Sequence, residues 1–372
     1  MNNREYWQER FLSLEEAEHR KAEDFYKTIE KEFNKAEKAL TEKIDSWYAR
    51  LAKNNGVTLQ EARKLLTDNE LEEFKWSVEE YIQKGRENAL NQSFMKELEN
   101  ASARVHINCL EALQTELRAE VELLYKNYHD DFSEFISDAY EDGLYHSVFE
   151  IEKGTGVTSS FPRIDKLKLD KIIYKPWTSD GENFSSRIWK SKGQLVNKLY
   201  TQLTQSCISG ESVDKVAEQI VKFNKNFDKD IHTAKMQAKR LINTENAYFG
   251  TLARKDAFKA LEVSEYEIVA TLDSHTSEIC QMMDGKVFKT SELEVGVNAP
   301  PFHVNCRTTT VPYFNDEFTE GETRASRPED KTVQAESMTY KEWAKKYLVK
   351  STKEARESYE EYYKQFEDIE EI

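Results

Sequence analysis

At 372 residues, with 38% hydrophobic and 33% charged side chains and only 12 glycines and 6 prolines, the chain has room for two domains that each bury a core without staples. That composition suits long, solvent-rich helices better than a compact sheet. A formal net charge of -16 argues against a general binder of nucleic acid or membrane surface, because counterion release needs clustered Lys and Arg.

Met1 to Phe11 lacks the apolar core of a signal peptide, no stretch reaches membrane-spanning length, and four cysteines do not make a disulfide framework. A protein kept in a cytosol is expected, with Cys109 and Cys207 as buried thiols. Ala22, Phe25, Ile29, Phe33, Ala36, Leu40, Ile44, Trp47 and Leu51 recur at steps of three and four, which predicts one amphipathic helix. Its narrow seam must meet a partner helix, in an intramolecular bundle or a coiled coil. Asn54-Asn55-Gly56 ends it, and Thr58 with Glu61 has the spacing of a capping box for the next helix, which carries Ala62, Leu65 and Leu66. Further helical runs hold Leu71, Phe74, Val78, Tyr81 and Ile82, then Val105, Cys109, Leu113 and Leu117 towards Leu124, and the pattern stays helical from Phe132 to Phe149 although Gly143 weakens it.

From Phe161 to Trp177 the alternation of Ile164, Leu167, Leu169, Ile172 and Ile173 with Lys and Asp, fenced by Pro162 and Pro176, predicts a linker with a strand or an extended arm. Phe184, Ile188, Trp189, Leu195, Leu199 and Leu203 predict a helix ending at Ser209-Gly210, and Ser212 is placed to cap a separate helix with Val213, Val216, Ala217 and Ile220. A helix from about Asp230 to Leu261 follows. Lys235, Lys239, Arg240, Arg254, Lys255 and Lys259 make it the most basic in the chain, read as a solvated face or as a contact for acidic protein or DNA phosphate. Tyr266, Ile268, Ala270 and Leu272 alternate with Glu267, Val269 and Thr271 as a half-buried strand, with Val287-Phe288 and Thr309 to Phe314 as its pairing candidates in a small sheet packed on the basic helix.

The chemistry-bearing residues gather between Arg240 and Phe314. His303 and Cys306 lie three apart, and Cys280 can return to the same ion across a loop, a donor set that suits one Zn2+. A fourth donor would come from Asp273, His275 or Asp284, with Asp273 taken as the candidate. Without metal, the same residues form a packed thiol–imidazole cluster or a Cys280–Cys306 disulfide. A Cys-His nucleophile would need an orienting third group and oxyanion donors, and no motif supplies them, so no enzyme is expected. Arg240, Thr244 and Glu245 are read as anchors for the loop carrying Asp273 or Arg307, and Pro300-Pro301 as a stiffener that holds the approach of His303 and Cys306.

Asp273-Ser274-His275-Thr276-Ser277-Glu278-Ile279-Cys280, Asp284-Gly285-Lys286-Val287-Phe288, Gly296 and Pro300-Pro301-Phe302-His303-Val304-Asn305-Cys306-Arg307 together resemble the phage head morphogenesis, or Mu F-like, domain. Leu241-Ile242-Asn243-Thr244-Glu245 before them and Thr310-Val311-Pro312-Tyr313 after them fit the same pattern. Pro176-Trp177, Phe184 to Trp189 and Met338 to Trp343, with the helical first third, resemble minor head proteins of phages and prophages of Gram-positive bacteria. The resemblance implies a minor capsid protein of the virion head, assembled in the host cytoplasm with the portal protein and other head proteins, with self-association through the N-terminal helices. Many relatives carry two cysteine pairs that suggest zinc; this chain has Met283 and Thr308 where the pairs would close. The alternatives are a factor that contacts DNA through Lys235, Lys239, Arg254, Lys255 and Lys259 and leaves with the genome, and an effector enzyme using Cys and His.

The expected fold is mainly α with a small α+β domain. An elongated N-terminal bundle or coiled-coil region over 1–155 leads through an arm at 156–178 to a helix-plus-small-sheet Mu F-like domain over 179–316, with a charged tail over 317–372 that carries one short helix.

Overall fold

The computed structural model describes residues 3–53, 59–156, 164, 166–208, 216–271 and 276–314. Helix α1 (Asn3–Lys53) contains the expected seam and continues it back towards the start, where Trp7 and Phe11 are buried on the same stripe. Thr58 lies outside the described residues. A single turn, α2 (Leu59–Ala62), precedes α3 (Asp68–Glu87), which opens with a capping box in which Glu70 accepts from the Thr67 backbone N–H at 2.9 Å. Asn91 caps α4 (Gln92–Ser102) by accepting from Ser93 N–H at 2.8 Å.

Helix α5 (Cys109–Thr155) runs unbroken through Gly143, where an added Cβ would sit 3.2 Å from the Ala253 methyl. A close helix contact is therefore what the glycine serves. Val105 lies ahead of α5 and is exposed, because Asn108 caps the helix by accepting from Glu111 N–H at 2.9 Å. The arm read at Phe161 to Trp177 is corrected in part: α6 (Lys166–Ile173) is helical, with Leu169 and Ile173 buried four residues apart and Leu167 turned outward. An i,i+4 pair had been disguised by alternation with Lys and Asp. Helix α7 (Phe184–Ile208) covers the expected helix, while its predicted end at Ser209-Gly210 and the cap at Ser212 lie outside the described residues. Two expected helices merge into α8 (Val216–Ala260), since Phe223, Phe227, Ile231, Ala234 and Ala238 carry one buried stripe across the supposed gap.

After α8 come β1 (Glu265–Val269), the short α9 (Glu278–Met283), β2 (Val287–Lys289) and β3 (Thr309–Tyr313). Among the described residues they form one antiparallel sheet in the order β2-β1-β3, with Tyr266 opposite both Phe288 and Pro312. No helix of the described residues is long and apolar enough to cross a membrane.

The chain forms two compact units, and each draws on non-consecutive stretches: Met1–Ala22, Ile136–Ile173 and Asn243–Ile372 in one, Glu23–Phe135 and Tyr174–Ile242 in the other. In the second unit Phe25 stacks on Phe135 with ring centroids 4.4 Å apart, and Phe74, Val78, Phe94, Leu98 and Ile107 form a satellite core. There too His129 stacks on Trp189 at 5.3 Å while its Nε2 lies 2.9 Å from Ser185 Oγ.

In the first unit Trp7, Phe11, Ile151 and Phe258 pack with Tyr266, Ile268, Leu293 and Val311 around the sheet. Strand β1 is the middle strand and is covered on both faces. Glu267, expected on a wet face, is 1% exposed and accepts hydrogen bonds from Arg4 (Nε to Oε2, 2.9 Å) and Gln8 (3.0 Å) of α1.

Candidate functional site

The site is built where the chain leaves β1 and returns to β3, wholly within the first unit. Ser277 caps α9 by accepting from Cys280 N–H at 3.3 Å, which turns Cys280 inward. At the other end of α9, Asp284 accepts from the Ala270 backbone N–H at 2.8 Å, so the short helix is tied to the end of β1. Gly285 follows at φ +73, a left-handed position that lets its N–H reach Ile268 C=O at 2.8 Å.

The returning arm passes through Pro300 and Pro301, both buried and joined by a cis peptide bond. Phe302 then packs against Ala270, Cys280 and Cys306. Asn305 adopts φ +59, a conformation asparagine tolerates, and its N–H donates to Thr244 Oγ1 of α8 at 3.2 Å. On the far side Thr271 donates to Arg307 C=O at 3.1 Å. The loop is thus pinned from β1 and from α8.

This framework brings together the three expected donors. Cys280 Sγ lies 3.2 Å from His303 Nε2 and 3.7 Å from Cys306 Sγ, and all three ligand atoms fall within 4.8 Å of one another. His303 Nδ1 sits 2.8 Å from Val304 C=O, which can only accept, so Nδ1 carries the hydrogen and Nε2 presents its lone pair to Cys280. Both cysteines are buried free thiols, and burial pushes the Cys306 thiol above its ordinary range. Of the two metal-free readings, the thiol–imidazole cluster is the one present.

The donors fit three corners of a zinc shell. A tetrahedron with Zn–S of about 2.3 Å has an S···S edge of about 3.8 Å, and a neutral imidazole with its other nitrogen bound to a carbonyl is the usual form of a ligating histidine. Asp273, the candidate fourth donor, lies outside the described residues, as does His275; Asp284 is engaged by Ala270. Zinc bound here would join the two arms of the loop electrostatically.

The anchors divide. Thr244 holds the loop through Asn305; Glu245 is buried beside it on α8; Arg240 belongs to the other unit. Arg307 lies 3.7 Å from Glu15 of α1. Among the cations considered for DNA or portal contact, Arg254 is 1% exposed and donates to both oxygens of Glu18 at 2.9 Å. Lys235 pairs with Glu37 at 2.7 Å, Lys239 with Glu23 at 3.0 Å, and Lys255 donates to Leu293 C=O at 2.8 Å, while Lys259 is exposed. Three of these five cations, Lys235, Lys239 and Arg254, neutralise acids of their own chain.

Glu15 and Glu18 were missed from the sequence. They line a cleft of about 200 Å³ together with Asn243, Arg254, Cys306 and Arg307. Burial pushes Glu15 up to about 7, against the opposing pull of Arg307. The signal was available: continuing the α1 stripe back from Ala22 in steps of four and three lands on Glu18, Glu15, Phe11 and Trp7, so two acids stand on an otherwise apolar face.

No curated protein and no solved structure matches the chain. A family model does: residues 197–311, which contain α9, β1, β2, the first part of β3 and the Cys280–His303–Cys306 cluster, match the one described as Phage Mu protein F like protein, so the chain carries a Mu F-like domain over that segment.

Proposed function

We propose that the chain is a minor head protein that acts in phage head morphogenesis as a structural component rather than an enzyme. In this reading it assembles with the portal protein and other head proteins in the host cytoplasm and is carried in the virion head, with its long helices supplying contact surface. The observation that supports it is the family match over 197–311, the segment in which the loop from Asp273 to Arg307 is pinned at Thr244 and Thr271. That loop serves as a clip between β1 and α8.

The test is to co-produce the tagged chain with the portal protein of the same phage, purify through the tag, and inspect particles from a phage carrying a stop codon in this gene. Portal co-purification, with tails made but heads absent or malformed in the mutant, is the expected result. Normal infectious particles without the protein would sink the reading. Elemental analysis of the purified chain separates a clip held by Zn2+ from one held by packing and hydrogen bonds alone.

A further inference from the structure

We infer that Cys280 and Cys306 form a reversible oxidation site, closing to an intramolecular disulfide when a peroxide reaches them. The geometry supplies each part that such chemistry needs. The two sulfurs are already in contact at 3.7 Å although 26 residues separate them in sequence. An acceptor stands beside one of them: with Nδ1 of His303 turned to Val304 C=O at 2.8 Å, Nε2 is the ring atom that faces Cys280 Sγ, at 3.2 Å. Both cysteines are buried, and the openings nearest to them are the cleft beside Glu15 that Cys306 lines and the half-buried His303 ring that touches Cys280.

The step balances in two stages. Cys280 sulfur attacks one peroxide oxygen as His303 Nε2 accepts its proton; the O–O bond breaks, the proton passes to the departing hydroxide, and a sulfenic acid and water result. Cys306 sulfur then attacks the Cys280 sulfur, the S–O bond breaks, and the Cys306 proton leaves with the hydroxyl as a second water. Two thiols are oxidised and one peroxide is reduced. The adjacent resolving thiol is what diverts the sulfenic acid from irreversible oxidation. Cys109 and Cys207 belong to the other unit and have no second thiol beside them among the described residues.

The experiment uses the full chain, reduced, treated with EDTA and freed of reductant, then exposed to hydrogen peroxide. Intact mass should fall by about 2 Da, dithiothreitol should restore it, and peptide mapping should find Cys280 joined to Cys306 while Cys109 and Cys207 remain alkylatable. His303→Gln should slow the closure by about tenfold. Cys280→Ser and Cys306→Ser should each abolish the link. If a variant fails to fold, as judged by its helical circular dichroism, the map of the unaltered chain decides alone. Cys280 and Cys306 both still free after treatment, or driven to sulfinic acid without a link, would overturn the inference.

Discussion

Glu18 and Arg254 set opposite charges against each other inside the first unit, and such a pair is worth most to stability when only one member is removed. Glu18→Ala should therefore lower the unfolding free energy by about 3 kcal/mol, read from urea denaturation, because it leaves the Arg254 guanidinium enclosed without a counterion. The double change Glu18→Leu with Arg254→Met should recover much of that loss. Two further groups give the protein opposed pH slopes. Burial holds His146 down to about 4, below its ordinary 6.5, so between those values the unfolded chain binds the extra proton and stability falls as pH drops from 6.5 to 4. Glu15, raised from 4.5 to about 7, keeps its proton in the folded chain through a range where the unfolded chain has lost it. Its contribution is present below 4.5 and is lost as pH rises through 7. Because the two windows overlap between 4.5 and 6.5 the slopes largely cancel there, so thermal melts should change little across that range, and Glu15→Gln should unmask the fall in stability as pH drops from 6.5 to 4. Cys280, His303 and Cys306 were legible because their chemistry is rare and their spacing short. The Glu18–Arg254 pair was not, because 236 residues separate its members and two charged residues on two helices look like ordinary solvated surface.

Among the elements, periodicity read the long helices well where the buried stripe was continuous and failed where composition imitated another pattern. Strand β1 and both of its partners were found from alternation, although Glu267 turned out to be sealed by Arg4 rather than wet. In α6 and α8 a short helix passed for an arm and one helix passed for two, because prolines flank the first and the buried Phe223 and Phe227, which bridge Ile220 to Asp230, were not read into the second's stripe. Close helix contacts are the harder lesson, since they show in sequence only as glycines that weaken a pattern. On α5, Gly154 faces the Trp7 ring of α1 so closely that an added Cβ would lie 2.1 Å from Cη2. Gly154→Ala, harmless by helix propensity, should instead cost about 2 kcal/mol of stability through overpacking, visible as a lower melting temperature. An unchanged melting temperature would mean that the indole can turn aside freely.

At the scale of the whole molecule, the matched segment 197–311 is not a self-contained core. The sheet inside it is packed by Trp7 and Phe11, and the middle strand's buried carboxylate is met by Arg4 and Gln8. Produced alone, residues 197–311 should aggregate or bind a hydrophobic dye strongly, and adding the first 53 residues as a separate peptide should not fully rescue them, because Ile151 of α5 would still be absent. A soluble, cooperatively melting fragment would contradict this. The family pattern in the sequence marked the loop correctly but gave no sign of this dependence, which rests on contacts at long separation. Arg4 and Glu267 stand 263 positions apart, and a ribosome adding about 5 to 20 residues per second leaves the first turns of α1 without their strand for tens of seconds. During that interval the apolar side of Trp7 and Phe11 has no native cover, so newly made chains are a natural client for a holding chaperone. The yield of assembled protein should then follow the supply of that chaperone more closely than the strength of the promoter.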